Sequence, residues 1–412
     1  MYPYHPRLIK KRLLRLFQSF SVVVVSGARQ VGKSRLLKEL FPQLPNITFD
    51  PVMDIENAKA DPDLFLRNRK PPLILDEIQY VPNLVPAIKR MVDQDKKPAQ
   101  FLITGSQQWE VMKNLAESLA GRAVFLDLES FALKEIYQTT EQLNWLEKWL
   151  HKPSLETAKT FQPQKTRRSL YEQLWRGFLP ETHFLELENI PDFLSAYQRT
   201  YIERDIRHMA EIESLETFGR FFRLCGALSA QEVNHSELGR DIGITPQTAG
   251  RWLALLKATF QWFELPPYFG NTIKRISKKP KGYLSDTGLM CATQIIASPE
   301  SISSHPLWGS LFETAVIHEV RKLSRSITLP PAMYHWRSHG GAEVDLLLER
   351  DGKFYPIEVK ANSHPGKKEG MGIEAFRETY PTLDIQPGLI IAPTDQTYPI
   401  SEVIFVIPWD SD

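Results

Sequence analysis

The feature that most constrains the fold is a run of four valines that is followed at once by a glycine-rich loop. The run Val22–Val25 predicts a strand over Ser21–Ser26, because unbroken β-branched residues suit a parallel strand buried on both faces. The segment Gly27–Ser34 then fits the pattern GxxxxGK followed by Ser or Thr, and Lys33–Leu40 predicts a helix. Strand, loop and helix in this order predict a phosphate-binding loop.

The residue types of this loop match the chemistry of a bound nucleotide. Glycines let backbone N–H groups turn inward around phosphates, and the following helix directs the positive end of its dipole at the same anion. Lys33 is expected to reach the β- and γ-phosphates, and the Ser34 hydroxyl is expected to bind Mg²⁺. We therefore predict an ATP–Mg²⁺ site formed by Gly27, Ala28, Arg29, Gln30, Val31, Gly32, Lys33, Ser34 and Arg35.

Two further strand ends carry polar residues that suit the same site. The apolar segment Leu73–Leu75 ends in Asp76, a candidate Mg²⁺ ligand, and Glu77, a candidate to orient or deprotonate the attacking water. After Phe101–Ile103, Thr104 or Ser106 is the candidate for sensing the γ-phosphate. An acidic loop and an ordinary exit from a strand are the alternative interpretations of these two segments.

The alternation of strands and helices around these motifs indicates the fold class. Besides Ser21–Ser26, strands are predicted at Ile47–Phe49, Pro72–Leu75, Gln100–Ile103 and Ala123–Leu128, with helical segments between them. This order is typical of an α/β protein with a parallel sheet. A length of 412 residues allows two to four domains.

Composition argues against several classes of protein. The net charge is +1, so the chain lacks the overall basic character of many nucleic-acid binders, and any basic surface must be local. Cys225 and Cys291 form no CxxC pair, which argues against a zinc site or a disulfide framework. Without a signal-peptide pattern or an apolar run of about 20 residues, we expect a cytoplasmic protein and no membrane partner.

Arg122 precedes the fifth predicted strand. In ring-forming ATPases this corner faces the γ-phosphate of the neighbouring subunit, where an arginine stabilises the charge of the transition state. This interpretation makes Arg122 catalytic and predicts a homo-oligomer. A surface salt bridge is an equally open alternative.

Together these motifs resemble a known family. The segments Gly27–Ser34, Leu73–Glu77, Ile103–Ser106 and Leu119–Arg122 are similar to those of prokaryotic AAA-type ATPases of the AAA_14 group. Two later segments, 200–206 and Lys279–Leu289, resemble the C-terminal domain of unknown function that is usually fused to it. The resemblance implies an ATPase core in a bacterial or archaeal cytoplasmic protein, and it implies no particular physiological role.

The middle of the chain predicts a helix-turn-helix. Ser236–Gly243 is a short helix that ends at glycine, and Pro246–Ala258 is a second helix with Thr245 as its cap. The predicted core is apolar: Leu238, Ile242, Ile244, Leu253 and Leu256. Gln247, Thr248 and Arg251 are then exposed early in the second helix, where a recognition helix contacts DNA.

A wing is predicted to follow this helix pair. Phe263–Phe269 and Lys281–Leu284 are its strands, and the basic segment 274–281 between them suits phosphate contacts. Contact with double-stranded DNA and packing against another protein both remain open interpretations of this winged helix.

The C-terminal region predicts a hairpin with acids on both arms. Strands over Glu343–Leu348 and Phe354–Lys360 would place Asp345 opposite Glu358, with Lys360 on the same face, while Glu313 lies on a preceding helix, Leu307–Leu323. The pattern resembles the PD-(D/E)xK nuclease fold, although Ala342 to Val344 carry no proline before Asp345. The resemblance implies that Glu313, Asp345 and Glu358 hold Mg²⁺ and that Lys360 helps to activate water. An acidic face without catalysis is the alternative.

We therefore predict an AAA-type P-loop ATPase domain at 1–138, a helical lid or linker at 139–216, a winged-helix-like domain at 217–300 and a PD-(D/E)xK-like α/β domain at 301–412. The favoured hypothesis is an ATPase whose nucleotide state controls action on DNA or on a DNA-bound partner. The alternatives are an ATP-gated, Mg²⁺-dependent nuclease and a non-catalytic switch or scaffold that binds nucleotide and a protein partner.

Overall fold

The computed structural model describes residues 2–50, 55–105, 119–164, 168–199, 214–270 and 279–412. The chain divides into two units, the first of which contains the residues up to Phe131 together with the short pieces Leu179–Glu181 and Ala258–Phe260. The second unit contains the rest of the chain. No helix within the described ranges is long and apolar enough to cross a membrane.

A five-stranded parallel sheet forms the centre of the first unit, as the alternation of strands and helices in the sequence predicts. Its strands are β1 (Val22–Ser26), β2 (Asn46–Thr48), β3 (Leu73–Asp76), β4 (Phe101–Gly105) and β5 (Ala123–Asp127), in the order β2-β3-β4-β1-β5. Each lies within two residues of its predicted position. The prediction of a parallel α/β sheet is therefore confirmed.

Helices cover this sheet: α1 (Lys10–Ser19), α2 (Lys33–Leu40), α3 (Glu56–Ala60), α4 (Pro62–Arg67) and α5 (Leu84–Gln94). Val22 and Val24 pack into one hydrophobic core cluster with residues of β3 and β4. Val23 and Val25 point to the opposite face, and both are fully buried. Burial on both faces explains why the strand has no polar alternation.

The second unit begins with mainly helical structure. Its helices up to residue 227 are α6 (Leu133–Ile136), α7 (Trp145–His151), α8 (Leu155–Ala158), α9 (Leu170–Arg176), α10 (Ile190–Tyr197) and α11 (Leu215–Ala227). Short 3-10 helices lie at Ile78–Tyr80 in the first unit, and at Pro180–His183, Leu187–Asn189, Pro299–Ser301 and Lys367–Gly370. The segment 200–213, which includes one of the family-like motifs, lies outside the described residues.

The polar composition of the segment 152–168 predicts an exposed loop, but its described part, 152–164, is not one. It contains helix α8, and Phe161 is fully buried in contact with the rings of Trp145 and Trp149. One aromatic side chain can bury enough apolar surface to order a segment whose other residues are polar.

Two helices lie where the helix-turn-helix is predicted: α12 (His235–Ile242) and α13 (Pro246–Ala258). The Thr245 hydroxyl accepts a hydrogen bond from the Thr248 N–H at 3.1 Å, as expected for a helix cap. Three of the predicted core residues, Leu238, Leu253 and Leu256, are buried, whereas Ile242 and Ile244 are only half-buried.

A small antiparallel sheet of β6 (Gln231–Glu232), β7 (Trp262–Leu265) and β8 (Lys281–Leu284) accompanies these helices, in the order β6-β8-β7. β8 has the bounds that the sequence predicts for a wing strand. Residues 271–278, which hold most of the predicted basic segment, lie outside the part of the chain that the structure describes.

The last part of the chain forms a mixed sheet with helices α14 (Thr287–Thr293), α15 (Trp308–Ser326) and α16 (Met371–Thr379). Its strands are β9 (Ala332–Arg337), β10 (Glu343–Arg350), β11 (Lys353–Val359), β12 (Asp384–Ile385), β13 (Gly388–Ala392), β14 (Tyr398–Pro399) and β15 (Ile404–Pro408). The order is β14-β15-β13-β11-β10-β9, and β12 pairs with β11. β10 and β11 form the predicted antiparallel hairpin.

Asp286, from the second family-like motif, joins two distant parts of the second unit. It caps α14 by accepting the Leu289 N–H at 3.1 Å, and it also accepts the Phe178 N–H at 2.7 Å. The side chain is buried, so these donors have no access to replacement water.

We expect Asp286→Ala to lower the free energy of unfolding by about 3 kcal/mol, because two buried N–H groups lose their acceptor. Urea unfolding followed by circular dichroism measures this change. The control is Asp395→Ala on an exposed loop, for which we expect a change within about 0.5 kcal/mol. Equal effects of the two substitutions would contradict the assigned role.

Candidate nucleotide site and carboxylate cluster

The backbone of the loop between β1 and α2 requires glycine at two positions. A Cβ atom on Gly27 would lie 2.1 Å from the carbonyl oxygen of Leu128, far inside van der Waals contact. Gly32 precedes α2 with φ +93, a left-handed conformation that side chains disfavour. The backbone geometry therefore explains why the GxxxxGK pattern has glycine at both positions.

The side chains of Lys33 and Arg7 both donate hydrogen bonds to carbonyl oxygens of the loop backbone. The Lys33 ammonium is buried and donates to the carbonyl oxygens of Gly27 at 2.9 Å and Ala28 at 2.8 Å. The buried Arg7 guanidinium donates to the carbonyl oxygens of Val31 at 2.7 Å and Glu129 at 2.6 Å. Arg7 was missed as a site residue, because its partners lie far along the chain and no local pattern marks it.

Asp76 brings the separate motifs together. The Ser34 hydroxyl donates to Asp76 Oδ1 at 2.8 Å, and the Thr48 hydroxyl donates to Asp76 Oδ2 at 3.3 Å. The Thr104 hydroxyl also donates to Asp76 Oδ1. The loop and three neighbouring strands thus converge on one carboxylate, which is 2% exposed.

Thr104 also positions Glu77. The Glu77 N–H donates to the Thr104 hydroxyl at 3.2 Å, and the Glu77 backbone is left-handed with φ 61. The amide of Gln79 donates to the Glu77 carboxylate. One hydroxyl therefore contacts both adjacent acids; Ser106, the other sensor candidate, lies outside the described residues.

The donor set at this place fits Mg²⁺. Ser34 and Asp76 offer a hydroxyl and a carboxylate within hydrogen-bonding distance of each other. Mg²⁺ prefers hard oxygen ligands and commonly takes only one or two from the protein, with phosphates and water as the others.

Arg122 lies at the opposite end of the sheet from the loop. β1 and β5 run parallel with Val22 opposite Ala123, so Arg122 precedes the amino end of β5 while the loop follows the carboxyl end of β1. Its guanidinium pairs with Asp93, with Nη2 and Oδ2 at 3.1 Å, and hydrogen bonding from Arg122 lowers the pKa of the Asp93 carboxyl. Within its own chain, Arg122 therefore forms a partly exposed salt bridge with Asp93.

The predicted acids of the C-terminal hairpin do meet. Continuing the register in which Leu346 lies opposite Ile357 places Asp345 opposite Glu358. The Lys360 ammonium lies 3.0 Å from Glu358 Oε2 and 3.9 Å from Asp345 Oδ2.

Lys281 and Tyr283, which sequence analysis placed only in a wing strand, complete this cluster. The Lys281 ammonium lies 2.6 Å from Glu313 Oε1 and 3.1 Å from Asp345 Oδ1. The Tyr283 hydroxyl donates to Glu313 Oε1 at 2.7 Å. Residues two apart on β8 share a face, but nothing in the local sequence shows what this face contacts.

The charges of the cluster are mutually compensated. Burial favours the neutral form of Asp345, but the ammonium groups of Lys281 and Lys360 and its hydrogen bonds outweigh this effect and lower its pKa to about 2. Burial, together with the charge of Asp345, holds the pKa of Glu358 well above its usual range. Burial likewise raises the pKa of Glu313, to about 7.

This cluster does not fit the three-carboxylate Mg²⁺ site that the nuclease resemblance implies. Glu313 and Asp345 already bind an ammonium group at their facing oxygens, and Glu358 pairs with Lys360. Within the described ranges, no three or more His, Cys, Asp and Glu side chains are grouped so that they could hold a metal ion.

Three family models match parts of this chain. A family model described as an AAA domain (AAA_14) matches residues 19–137. Two models described as domains of unknown function, DUF8612 and DUF4143, match residues 167–300 and 308–411. The carboxylate cluster draws residues from both of the latter segments.

Two curated relatives span nearly the whole chain. They are uncharacterized proteins of Mycobacterium tuberculosis and Mycobacterium bovis, each 27% identical over 400 residues, which cover 97% of this chain and 82% of the relative.

Among solved structures, a Walker-type ATPase of Pyrococcus abyssi aligns with a TM-score of 0.38 and 14% identity, covering 69% of this chain and 94% of that chain. The RuvB Holliday junction branch migration motor of Thermotoga maritima aligns with a TM-score of 0.29 and 15% identity, covering 63% and 89%. The matched family model and the loop on its parallel sheet together support an AAA-type P-loop ATPase domain in the N-terminal part of this chain.

Proposed function

We propose that this chain is a Mg²⁺-dependent ATPase that works as a homo-oligomer and acts on DNA or on a DNA-bound partner. The observation that carries the ATPase assignment is the 2.8 Å hydrogen bond between Ser34 and Asp76. It joins the phosphate-binding loop to the acidic strand end, where a metal–phosphate group and an attacking water would meet.

The residues of the site have distinct tasks in this proposal. Lys33 neutralises charge on the β- and γ-phosphates, while Ser34 and Asp76 would hold Mg²⁺, which supplies further neutralisation when bound. Glu77 accepts a proton as water attacks the γ-phosphorus and the bond to the β–γ bridging oxygen breaks. Thr104 positions Asp76 and the backbone of Glu77.

We expect Lys33→Ala to lower ATP turnover at least a hundredfold, because a point charge on the transferred phosphoryl group is lost. Phosphate release in the presence of Mg²⁺ measures the rate. The control, Lys38→Ala, changes an exposed lysine of the same helix and leaves the rate near that of the wild type. Unchanged turnover in Lys33→Ala would refute the site, and tight ATP binding by a wild type without turnover would favour a non-catalytic switch.

Arg122 gives a test of the homo-oligomer. If it contacts the γ-phosphate of a neighbouring subunit, Arg122→Ala lowers turnover about a hundredfold or more while ATP affinity is kept. Asp93→Ala, which removes only the partner of its salt bridge, retains most activity. Mixing inactive Lys33→Ala and Arg122→Ala proteins then restores turnover, because a mixed interface contains one intact site. Equal losses in Arg122→Ala and Asp93→Ala, without restoration on mixing, would show a purely structural salt bridge.

The helix pair α12–α13 supports a DNA-contacting winged helix. Gln247 and Arg251 are exposed in the first two turns of α13, directly after the tight turn at Thr245. A second helix with exposed polar residues at its start is the arrangement that enters a major groove. With a net charge of +1, binding has to depend on such local contacts.

We expect the double variant Gln247→Ala/Arg251→Ala to weaken binding to duplex DNA about tenfold or more, because base-edge and phosphate contacts are lost. Fluorescence anisotropy over a salt series measures the affinity and its salt dependence. Arg220→Ala, an exposed arginine on α11, serves as the matched control. A wild type that does not bind duplex DNA at low salt would refute this part of the proposal and favour a protein partner.

A further inference from the structure

We propose that Lys281 is a built-in cation that takes the place of a divalent metal ion between Glu313 and Asp345, so that the C-terminal carboxylate cluster is a latent metal site. Its ammonium group contacts one oxygen of each carboxylate, at 2.6 and 3.1 Å. A metal ion bridging the same two oxygens would have to occupy the space that the ammonium fills. This inference is independent of the proposed ATPase activity.

Burial makes the lysine necessary. The side chains of Lys281, Glu313 and Asp345 are 10%, 14% and 4% exposed, so water neutralises little of their charge. Two ionised carboxylates in such surroundings require a compensating positive charge, which a proton, an ammonium group or a metal ion can supply. The chain itself supplies one.

The backbone holds this cation in place. Lys281 lies on β8, where it is opposite Leu265 on one side and Glu232 on the other. At the next residue, a Cβ on Gly282 would lie 2.0 Å from the Trp262 ring and 2.6 Å from Val233, so the strand approaches its neighbours as closely as glycine allows. The backbone position from which the Lys281 side chain extends is therefore closely fixed.

Tyr283 strengthens the arrangement from the same strand. Its hydroxyl donates to the Glu313 oxygen that the Lys281 ammonium also contacts. Two donors from β8, Lys281 and Tyr283, therefore hold the Glu313 carboxylate of α15. They orient it toward Lys281 and away from an ion that would enter from solvent.

The charge of the cluster also opposes a divalent ion. With Lys281 and Lys360 both close to Asp345, an added ion would face two ammonium groups at short range in a medium of low dielectric constant. If Lys281 loses its charge, Glu313 and Asp345 become a pair of hard oxygen ligands suited to Mg²⁺ or Mn²⁺.

The test is Mn²⁺ binding to the full-length, nucleotide-free protein, followed by electron paramagnetic resonance and by the thermal midpoint of unfolding. In the wild type we expect the same Mn²⁺ binding as in Asp345→Asn, because no ion enters the cluster. In Lys281→Met, which keeps the length of the side chain but removes its charge, we expect one additional Mn²⁺ site, bound at least tenfold more tightly than any Asp345-dependent site of the wild type. Mn²⁺ should also raise the thermal midpoint of this variant.

The double variant Lys281→Met/Asp345→Asn is the matched control, and it should lose the additional site. If Lys281→Met is unfolded without metal, refolding in Mn²⁺ or in the double variant supports the proposal, since either change compensates the unpaired carboxylates. Asp345-dependent Mn²⁺ binding by the wild type overturns the proposal. A Lys281→Met protein that is folded but gains no additional Mn²⁺ site also overturns the proposal. The same holds if Lys281→Met is unfolded and neither Mn²⁺ nor the added Asp345→Asn substitution restores its fold.

Discussion

The carboxylate of Asp76 accepts hydrogen bonds from three hydroxyl groups, those of Ser34, Thr48 and Thr104, and the candidate nucleotide site depends on these contacts. A buried carboxylate is costly unless its oxygens are bonded, so each hydroxyl is held where the sequence motif requires it. Because the donors come from α2, β2 and β4, the strand order of the sheet decides which motifs meet. The chemistry proposed for the site is thus a consequence of how one buried charge is satisfied.

Buried carboxylates in the second unit also need bonded partners, but the partners differ from those of Asp76. Asp286 accepts two backbone N–H groups, whereas Asp345 and Glu313 bind an ammonium group. The first arrangement stabilises a helix end, and the second neutralises residues that resemble metal ligands. Carboxylate positions alone therefore do not distinguish a metal site from an internal ion pair; the nearest cation does.

Local sequence could predict what depends on neighbours in the chain. The valine run, the glycine-rich loop and the turn at Thr245 are specified by periodicity, glycine conformation and helix capping, and they lie where these patterns place them. Arg7 and Lys281 could not be found in this way, since their side chains bind Val31 and Glu313, which lie 24 and 32 residues away, respectively. Phe161 was missed for a related reason: its polar neighbours outweighed it in composition, but packing against Trp145 and Trp149 decides its burial.

These two buried clusters suggest how the two units differ in chemistry. At Asp76 the donors are neutral hydroxyl groups, which can give up their hydrogen bonds and become ligands when a cation arrives with its nucleotide. At Asp345 the partners are ammonium groups, which repel an arriving cation. A neutral partner leaves a carboxylate able to respond to a ligand, whereas a charged partner fixes it. In the function proposed above, ATP is therefore the input that the protein senses, and the carboxylate cluster contributes a fixed internal contact between β8, α15 and the hairpin β10–β11.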